Sequence, residues 1–387
     1  MCGIVGYIGD EEAAPVLIKG LKRLEYRGYD SAGIAVLGNT GLIIRKSKGA
    51  LQYLEDKIDG DLRSGALGGT MGIGHTRWAT HGEPSDINSH PHTDVSGKIA
   101  VVHNGIIENH AKLKAWLQER GASFRSETDT EVIAHLVNHY YTGDILQAVI
   151  ASLRRLEGSY ALAVACENDP DRIVAARKES PLVVGAGKGE NLIASDVPAL
   201  LEHTRDVYYL EDREIAVLYR DRIEFYNEEG ERREKQLRRV EWDAEAAEKG
   251  GYEHFMIKEI HEQPKALRDT LRPRIAHGGE AATINLDEIG FGDSWAKAER
   301  VVIAACGTAW HAGVIGKYAF EQFARIHTEA EVASEYRYRN PIFNPTDIFL
   351  IISQSGETAD TLAAMRMAKK GGARIIAITN VVGSTLA

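Results

Sequence analysis

The chain opens Met1-Cys2-Gly3-Ile4-Val5-Gly6, and the cysteine in second place constrains any fold built behind it. An initiator methionine is normally trimmed when the next side chain is small. Cys2 would then carry a thiol and a free α-amine on one residue. With an ordinary pKa of about 7.7–8.0, that amine can take the thiol proton directly or through a water, so nucleophile and base share a residue. Such a terminus must be held still. Ile4, Val5, Tyr7 and Ile8 read as a short buried strand directly behind it, with Gly3 permitting a tight turn at the thiol. A cysteine taken alone is more often a small hydrophobe than a nucleophile, so the remaining parts of a site must come from elsewhere in the chain.

The totals narrow the classes. A length of 387 residues suggests two or three domains, and 44% hydrophobic with 26% charged residues is globular composition. The net charge of −10 argues against nucleic acid as a partner, though not against small anions bound by local groups. Cys2, Cys166 and Cys306 are too scattered for a disulfide framework, which fits a reducing cytoplasm. No apolar run approaches the ~18 residues of a membrane span, and no charged region followed by an apolar one marks a signal peptide. Neither a membrane nor a cofactor is expected.

Periodicity divides the chain. Helices are expected over Glu11–Leu24, Leu51–Ile58, Ile107–Arg120, Thr130–Tyr141 and Ile145–Leu156. Strands are expected at Ile34–Leu37, Leu42–Arg45, Met71–His75, Ile99–His103, Tyr160–Cys166, Leu182–Gly185, Leu192–Ala194, Ile215–Leu218 and Ile223–Tyr226. Many strands with grouped helices predict a layered α+β domain over 1–240. The Ala-, Glu- and Gly-rich stretch 241–251 reads as a linker. From 252 to 387 the apolar runs Val301–Ala305, Ile348–Ile352 and Arg374–Thr379 alternate with helical patterns at His311–Ala324 and Ala359–Lys369, which predicts a parallel α/β sheet. A helical stretch before them, His254–Leu271, is interrupted by Pro264.

Several motifs carry polar chemistry. His75-Thr76-Arg77-Trp78-Ala79-Thr80-His81-Gly82 follows a strand; Arg77 can clamp a carboxylate and Trp78 can form an apolar wall. His103-Asn104-Gly105 also reads as a strand end, and an amide beside a glycine N–H suits an oxyanion hole. In Glu127-Thr128-Asp129-Thr130-Glu131, Asp129 or Thr130 is equally readable as a helix cap. In the second part, Ala305-Cys306-Gly307-Thr308 and Ser353-Gln354-Ser355-Gly356-Glu357-Thr358 both follow apolar strands and precede helices. Hydroxyls and backbone N–H groups at helix N-termini favour an anion, and open α/β sheets bind ligands at strand ends.

Cys-Gly at the start, RGYDSAG, HTRWATHGEP, HNGIIEN and SETDTE occur here in one order. On these motifs the chain resembles the class II glutamine amidotransferases of the N-terminal-nucleophile hydrolases. The resemblance implies an αββα four-layer glutaminase domain, with Cys2 as nucleophile and Asn104 and Gly105 as the oxyanion hole. It implies that Arg77 and Asp129 hold the α-carboxylate and α-ammonium of L-glutamine, with Thr80 and His81 nearby. Trp78 matches a residue implied to gate ammonia, and Arg27 and His90 match residues at a domain junction. For the second part it implies a sugar isomerase (SIS) fold. There Cys306, Gly307, Thr308, Ser353, Gln354, Ser355 and Thr358 would hold the phosphate of fructose 6-phosphate; Ala309 stands where many members have serine. Full-length members are implied to be homodimers with a second SIS half. The sequence stops at Ala387, so the expectation for this chain is glutamine hydrolysis without amino-sugar formation.

Three other readings compete. A different class II amidotransferase would share the first half, but a nucleotide-activating one would need a pyrophosphate loop that is not found. A metal hydrolase could use His75, His81, His90, His92 and His103, yet no compact HxxxH-type pair with an acidic partner is present, and no metal is expected. A sugar-phosphate sensor without catalysis would be indifferent to Cys2.

Overall fold

The computed structural model describes residues 2–25, 30–78, 82–240, 252, 254–271, 274–278, 281–285, 297–381 and 384–387. They belong to two compact units, Met1–Phe255 and Met256–Ala387. The expected linker 241–251, with Arg27, Thr80 and His81, lies outside the described residues.

The first unit stacks two antiparallel sheets. One has eight strands in the order Arg238–Arg239, Asp206–Tyr209, Val183–Ala186, Asn191–Ala194, Gly3–Ile8, Met71–Arg77, Ser31–Gly38 and Gly41–Lys48. The other has seven, in the order Arg232–Arg233, Ile223–Asn227, Glu214–Leu218, Ile173–Lys178, Gly158–Cys166, Ile99–Ile107 and His92–Thr93. Side chains alternate across a strand, and the core follows that period. Val5, Tyr7, Ile34 and Val36 pack on the Ala13–Arg23 and Leu51–Ser64 helices. Ile4, Ile8, Ala35 and Ile73 face Ala100, Val102, Ala161, Ala163 and Ala175 of the other sheet. Ile99, Val101, Leu162 and Val164 pack on the helices Glu131–Tyr140 and Ile145–Leu153. The result is helix, sheet, sheet, helix. Between the sheets the small alanines of the second sheet oppose the larger isoleucines of the first. Each fully buried leucine in the outer layers, such as Leu17, contributes about 1.5–3 kcal/mol.

Several boundaries differ from the sequence reading. The Ile99–Ile107 strand runs through His103-Asn104-Gly105 instead of ending there, and the following helix covers only His110–Gln118. Gly105 makes this possible. Its φ is +134°, and a Cβ there would meet the Ser159 carbonyl oxygen at 2.1 Å. Strands at Ile173–Lys178, Asp206–Tyr209 and His327–Val332 were not expected. His327–Val332 is a polar edge strand whose alternating glutamates carry no apolar signal. Pro264 sits inside a continuous helix, Phe255–Leu271, and takes away one backbone donor without ending it.

In the second unit a four-stranded parallel sheet runs His327–Val332, Arg300–Ala305, Asp347–Ser353, Arg374–Thr379. Val302, Ala304, Phe349 and Ile351 pack on Leu362 and Ala368 of the Ala359–Lys370 helix. On the opposite face Val301, Ile303, Ile348 and Leu350 gather Phe320 and Ile376. Among the described residues no helix is long and apolar enough to cross a membrane.

Candidate active site

The period of two places the polar residues. Along one strand Ile73, His75 and Arg77 share the face toward the second sheet; on the opposing strand so do Ala100, Val102 and Asn104. The lower members are apolar core and the upper members are polar, so the inter-sheet layer changes from core to site at one end. Cys2 lies two residues before Ile4, beside this end. The Trp78 backbone N–H donates to its Sγ at 3.1 Å, and its carbonyl accepts from Asn104 Nδ2 at 2.9 Å. Burial pushes the Cys2 thiol up, against the lowering effect of the Trp78 N–H.

Buried histidines lie beneath. His75 Nε2 is 2.9 Å from Asn104 Oδ1 and 3.1 Å from the His103 carbonyl oxygen. Its ring stacks on His90 at 4.0 Å and 16°. His90 Nδ1 accepts from the His103 backbone N–H at 3.2 Å, and His103 Nδ1 meets Thr130 Oγ1 at 2.9 Å. Burial drives His75 down to about 3 and takes His90 and His92 well below the ordinary histidine value. His92 Nε2 meets Thr128 Oγ1 at 3.1 Å, and that hydroxyl meets Ser126 Oγ at 2.9 Å. Ser126 Oγ donates to Glu131 at 2.7 Å. Burial alone would raise Glu131, but the nearby His135 ring at 3.5 Å and hydrogen bonds from Ser126 and the backbone N–H groups of Arg125 and Ser126 bring it down to about 2.

The two residues expected as clamps are both buried and tied to backbone. An Arg77 NH2 donates to the Gly82 carbonyl at 3.1 Å, and Asp129 Oδ2 accepts from the Ile107 N–H at 2.7 Å. Thr130 stands at the N-cap of Glu131–Tyr140 but makes no side-chain cap bond. Thr130 is thus the cap by position without a capping hydrogen bond from its side chain, while Asp129 serves the Ile107 N–H. The Trp78 side chain is 48% exposed. His90, expected at a domain junction, is buried under the Cys2–Asn104 contact. Among the described residues, ligating atoms close enough to share an ion occur only at Glu11, Glu190 and His203, which include none of the motif histidines.

In the second unit, Cys306 and Thr358 stand at the N-caps of Gly307–Ala319 and Ala359–Lys370. Both caps lie beyond the carboxyl ends of adjacent parallel strands. Thr361 Oγ1 donates to Cys306 Sγ at 3.7 Å and joins the two loops. Ser353 Oγ accepts from the Gly356 N–H at 3.0 Å and lies 3.3 Å from Thr358 Oγ1; Ser355 Oγ accepts from the Glu357 N–H at 3.2 Å. Gly356, at φ +68°, has no room for a Cβ beside Ser384. Neighbouring helix N-termini present N–H groups and the positive ends of two dipoles to one place.

The sequence offers His75 only as a possible metal ligand and Thr130 only as a helix cap, and points to no role for Thr361 or the Ser126–Glu131 pair. For His75 a signal existed: it stands two residues before Arg77 on a strand, hence on the same face. The others depend on contacts between segments distant in sequence.

Residues 75–202 match the glutamine amidotransferase domain and residues 295–387 the SIS domain. Over 387 residues the chain is 60% identical to the glutamine--fructose-6-phosphate aminotransferase [isomerizing] of Caldanaerobacter subterraneus subsp. tengcongensis. Over 388 residues it is 55% identical to the protein of that name from Clostridium acetobutylicum. All of this chain is covered in both cases, and it spans 62% and 63% of those two proteins. Among solved structures it is similar in fold to a glutamine phosphoribosylpyrophosphate amidotransferase from B. subtilis. That match has a TM-score of 0.50 at 19% identity and covers 98% of this chain and 81% of the other.

Proposed function

We infer the reaction from the premise that this chain belongs to the glutamine--fructose-6-phosphate aminotransferase family. The whole protein, in this reading, takes ammonia from L-glutamine and aminates fructose 6-phosphate with isomerisation, giving glucosamine 6-phosphate. Residues 1–240 form the glutaminase, 241–251 the linker and 252–387 the first sugar-phosphate domain. The carrying observation is Cys2 held against the Asn104 amide, whose Nδ2 donates to the Cys2 backbone carbonyl at 2.9 Å while the Trp78 N–H donates to the thiol at 3.1 Å.

Trimming of Met1 frees the α-amine of Cys2. Because burial keeps the thiol protonated, a base must act at the moment of attack, and the amine is the nearest one in the chain's covalent structure. The thiol proton passes to the amine as sulfur attacks the glutamine carboxamide carbon. The resulting oxyanion accepts from the second Asn104 amide proton and the Gly105 N–H. The proton then moves to the leaving nitrogen, ammonia departs, and a thioester remains. Water cleaves it to glutamate and regenerates the thiol. Arg77 takes the substrate's α-carboxylate and Asp129 its α-ammonium, with Thr80 and His81 nearby. Trp78 gates the ammonia, and Arg27 and His90 serve the domain junction. In the second domain, Cys306, Gly307, Thr308, Ser353, Gln354, Ser355 and Thr358 receive the sugar phosphate.

A glutaminase assay with and without fructose 6-phosphate tests this reading. The expected outcome is glutamate and ammonia in equal amounts, abolished by alkylation of Cys2. Absence of hydrolysis by protein whose mature terminus is Cys2 would contradict it.

A further inference from the structure

We propose that His75 is a positioning residue whose Nε2–H fixes the amide of Asn104, so that its NH2 group faces the reacting centre. The inference rests on the reading of Asn104 as an oxyanion donor and assigns what orients it. Two oxygens lie within hydrogen-bond reach of His75 Nε2: Asn104 Oδ1 at 2.9 Å and the His103 carbonyl at 3.1 Å. The carbonyl can only accept, so Nε2 carries a proton, and that proton selects the oxygen of the Asn104 amide over its nitrogen. The opposite end of the same amide agrees, since Nδ2 donates to the Cys2 carbonyl at 2.9 Å. A flipped amide would set two donors face to face at His75 and two acceptors face to face at Cys2. Both ends therefore favour one orientation, and the second Nδ2 proton is left for an oxyanion.

The ring itself is held. His75 is fully buried, and burial keeps it neutral at working pH. Its Nδ1 has no hydrogen-bond partner among the described residues. With the proton on Nε2 this atom is a bare acceptor, whereas the other tautomer would bury an unmet donor. The stack on His90 at 4.0 Å restricts ring rotation, and the His103 N–H to His90 Nδ1 bond fixes His90 in turn. Gly33 keeps the space open, because a Cβ there would lie 2.2 Å from the His90 carbonyl oxygen. The histidine thus does for the asparagine what a buried polar partner does for a metal ligand: it fixes the orientation before the substrate arrives.

Glutamine hydrolysis by His75→Phe, His75→Gln and Asn104→Ala tests the proposal, with iodoacetamide alkylation of Cys2 as a control for the nucleophile. Phenylalanine keeps the ring stack and removes the donor; glutamine restores an N–H at similar reach. The proposal expects H75F to lose at least ~10-fold in kcat with KM within ~2-fold, since losing an oxyanion donor outright costs about 10²–10³. It expects H75Q to recover most of that loss and the alkylation rate to stay unchanged in both. An H75F enzyme with wild-type kcat beside a crippled N104A overturns the proposal alone. An unaffected N104A overturns the oxyanion reading and the proposal with it. Should H75F not fold, ring ¹⁵N shifts of the unsubstituted protein decide: a proton on Nε2 is required, and a proton on Nδ1 contradicts it.

Discussion

In the first unit the polar groups of the candidate site are side chains at one end of a two-sheet sandwich, each tied to backbone or to another buried side chain. In the second they are hydroxyls and N–H groups at two helix N-termini beyond a parallel sheet, with Ser353 and Ser355 bonded inside their own loop. A site made of single buried side chains concentrates its function, so one substitution removes most of it. A site made of many small donors spreads its function, so one substitution removes little. That difference also predicts where acid acts, because the titrating residues with strongly lowered values cluster in the first unit.

The largest expected effect is at Cys2. Cys2→Ser should keep the fold and the affinity for fructose 6-phosphate while glutamine hydrolysis falls at least ~10³-fold, because a hydroxyl is a far weaker nucleophile. An uncleaved N-terminal tag should do the same by converting the amine to an amide. Steady-state assay with calorimetric sugar-phosphate binding checks both, and parallel loss of the two functions would break the comparison.

Acid comes next. His75, His90 and His92 have lowered values when folded, so the unfolded chain takes up protons that the folded chain refuses. Their contribution to stability is complete above the ordinary value of 6.5 and is lost as pH falls toward the folded value, about 3 for His75. The slope is about 1.4 kcal/mol per pH unit for each such histidine. Glu131, held at about 2, adds to the loss below the ordinary value of 4.5. Domain-resolved hydrogen exchange should show the first unit opening before the second as pH falls from 6.5. His75→Phe should flatten that dependence.

Smaller effects are expected at the proposed substrate clamps. Arg77→Ala and Asp129→Asn should each raise KM for glutamine by roughly one to two decades, the worth of a charge-assisted hydrogen bond of about 1.5–3 kcal/mol. A fall in kcat at unchanged KM would remove them from the clamp role. The smallest effect is expected in the second unit. Ser355→Ala should weaken fructose 6-phosphate binding by no more than about tenfold, one neutral hydrogen bond being worth about 0.5–1.5 kcal/mol. A loss of several decades would show that this loop concentrates its function after all.

Legibility in the sequence followed the same division. The continuous apolar runs at Ile4–Ile8, Ile99–Val102, Val301–Ala305 and Ile348–Ile352 carry the four-layer unit and the parallel sheet on their surface. Cys2, Arg77 and Asn104 stand out as candidates by residue type and local motif, whereas Asp129 is a candidate only through the family resemblance. The boundary at His103-Asn104-Gly105 was misplaced because a glycine inside a strand looks like a strand end. Here φ +134° and the close Ser159 carbonyl let the strand continue. The His75–Asn104 pair spans 29 residues and the Asn104–Cys2 pair 102. Pairings between separate strands are set by register and leave no local trace. His327–Val332 was lost for a different reason: an edge strand needs no apolar alternation.

The most direct test of the account is to quench the protein with acid during glutamine turnover and map the adduct by mass spectrometry of its N-terminal peptide. The account predicts a mature terminus at Cys2 and a glutamyl thioester on its sulfur, lost when Cys2 is alkylated beforehand. Continued hydrolysis after complete alkylation, or a glutamyl adduct on any other residue, would contradict it.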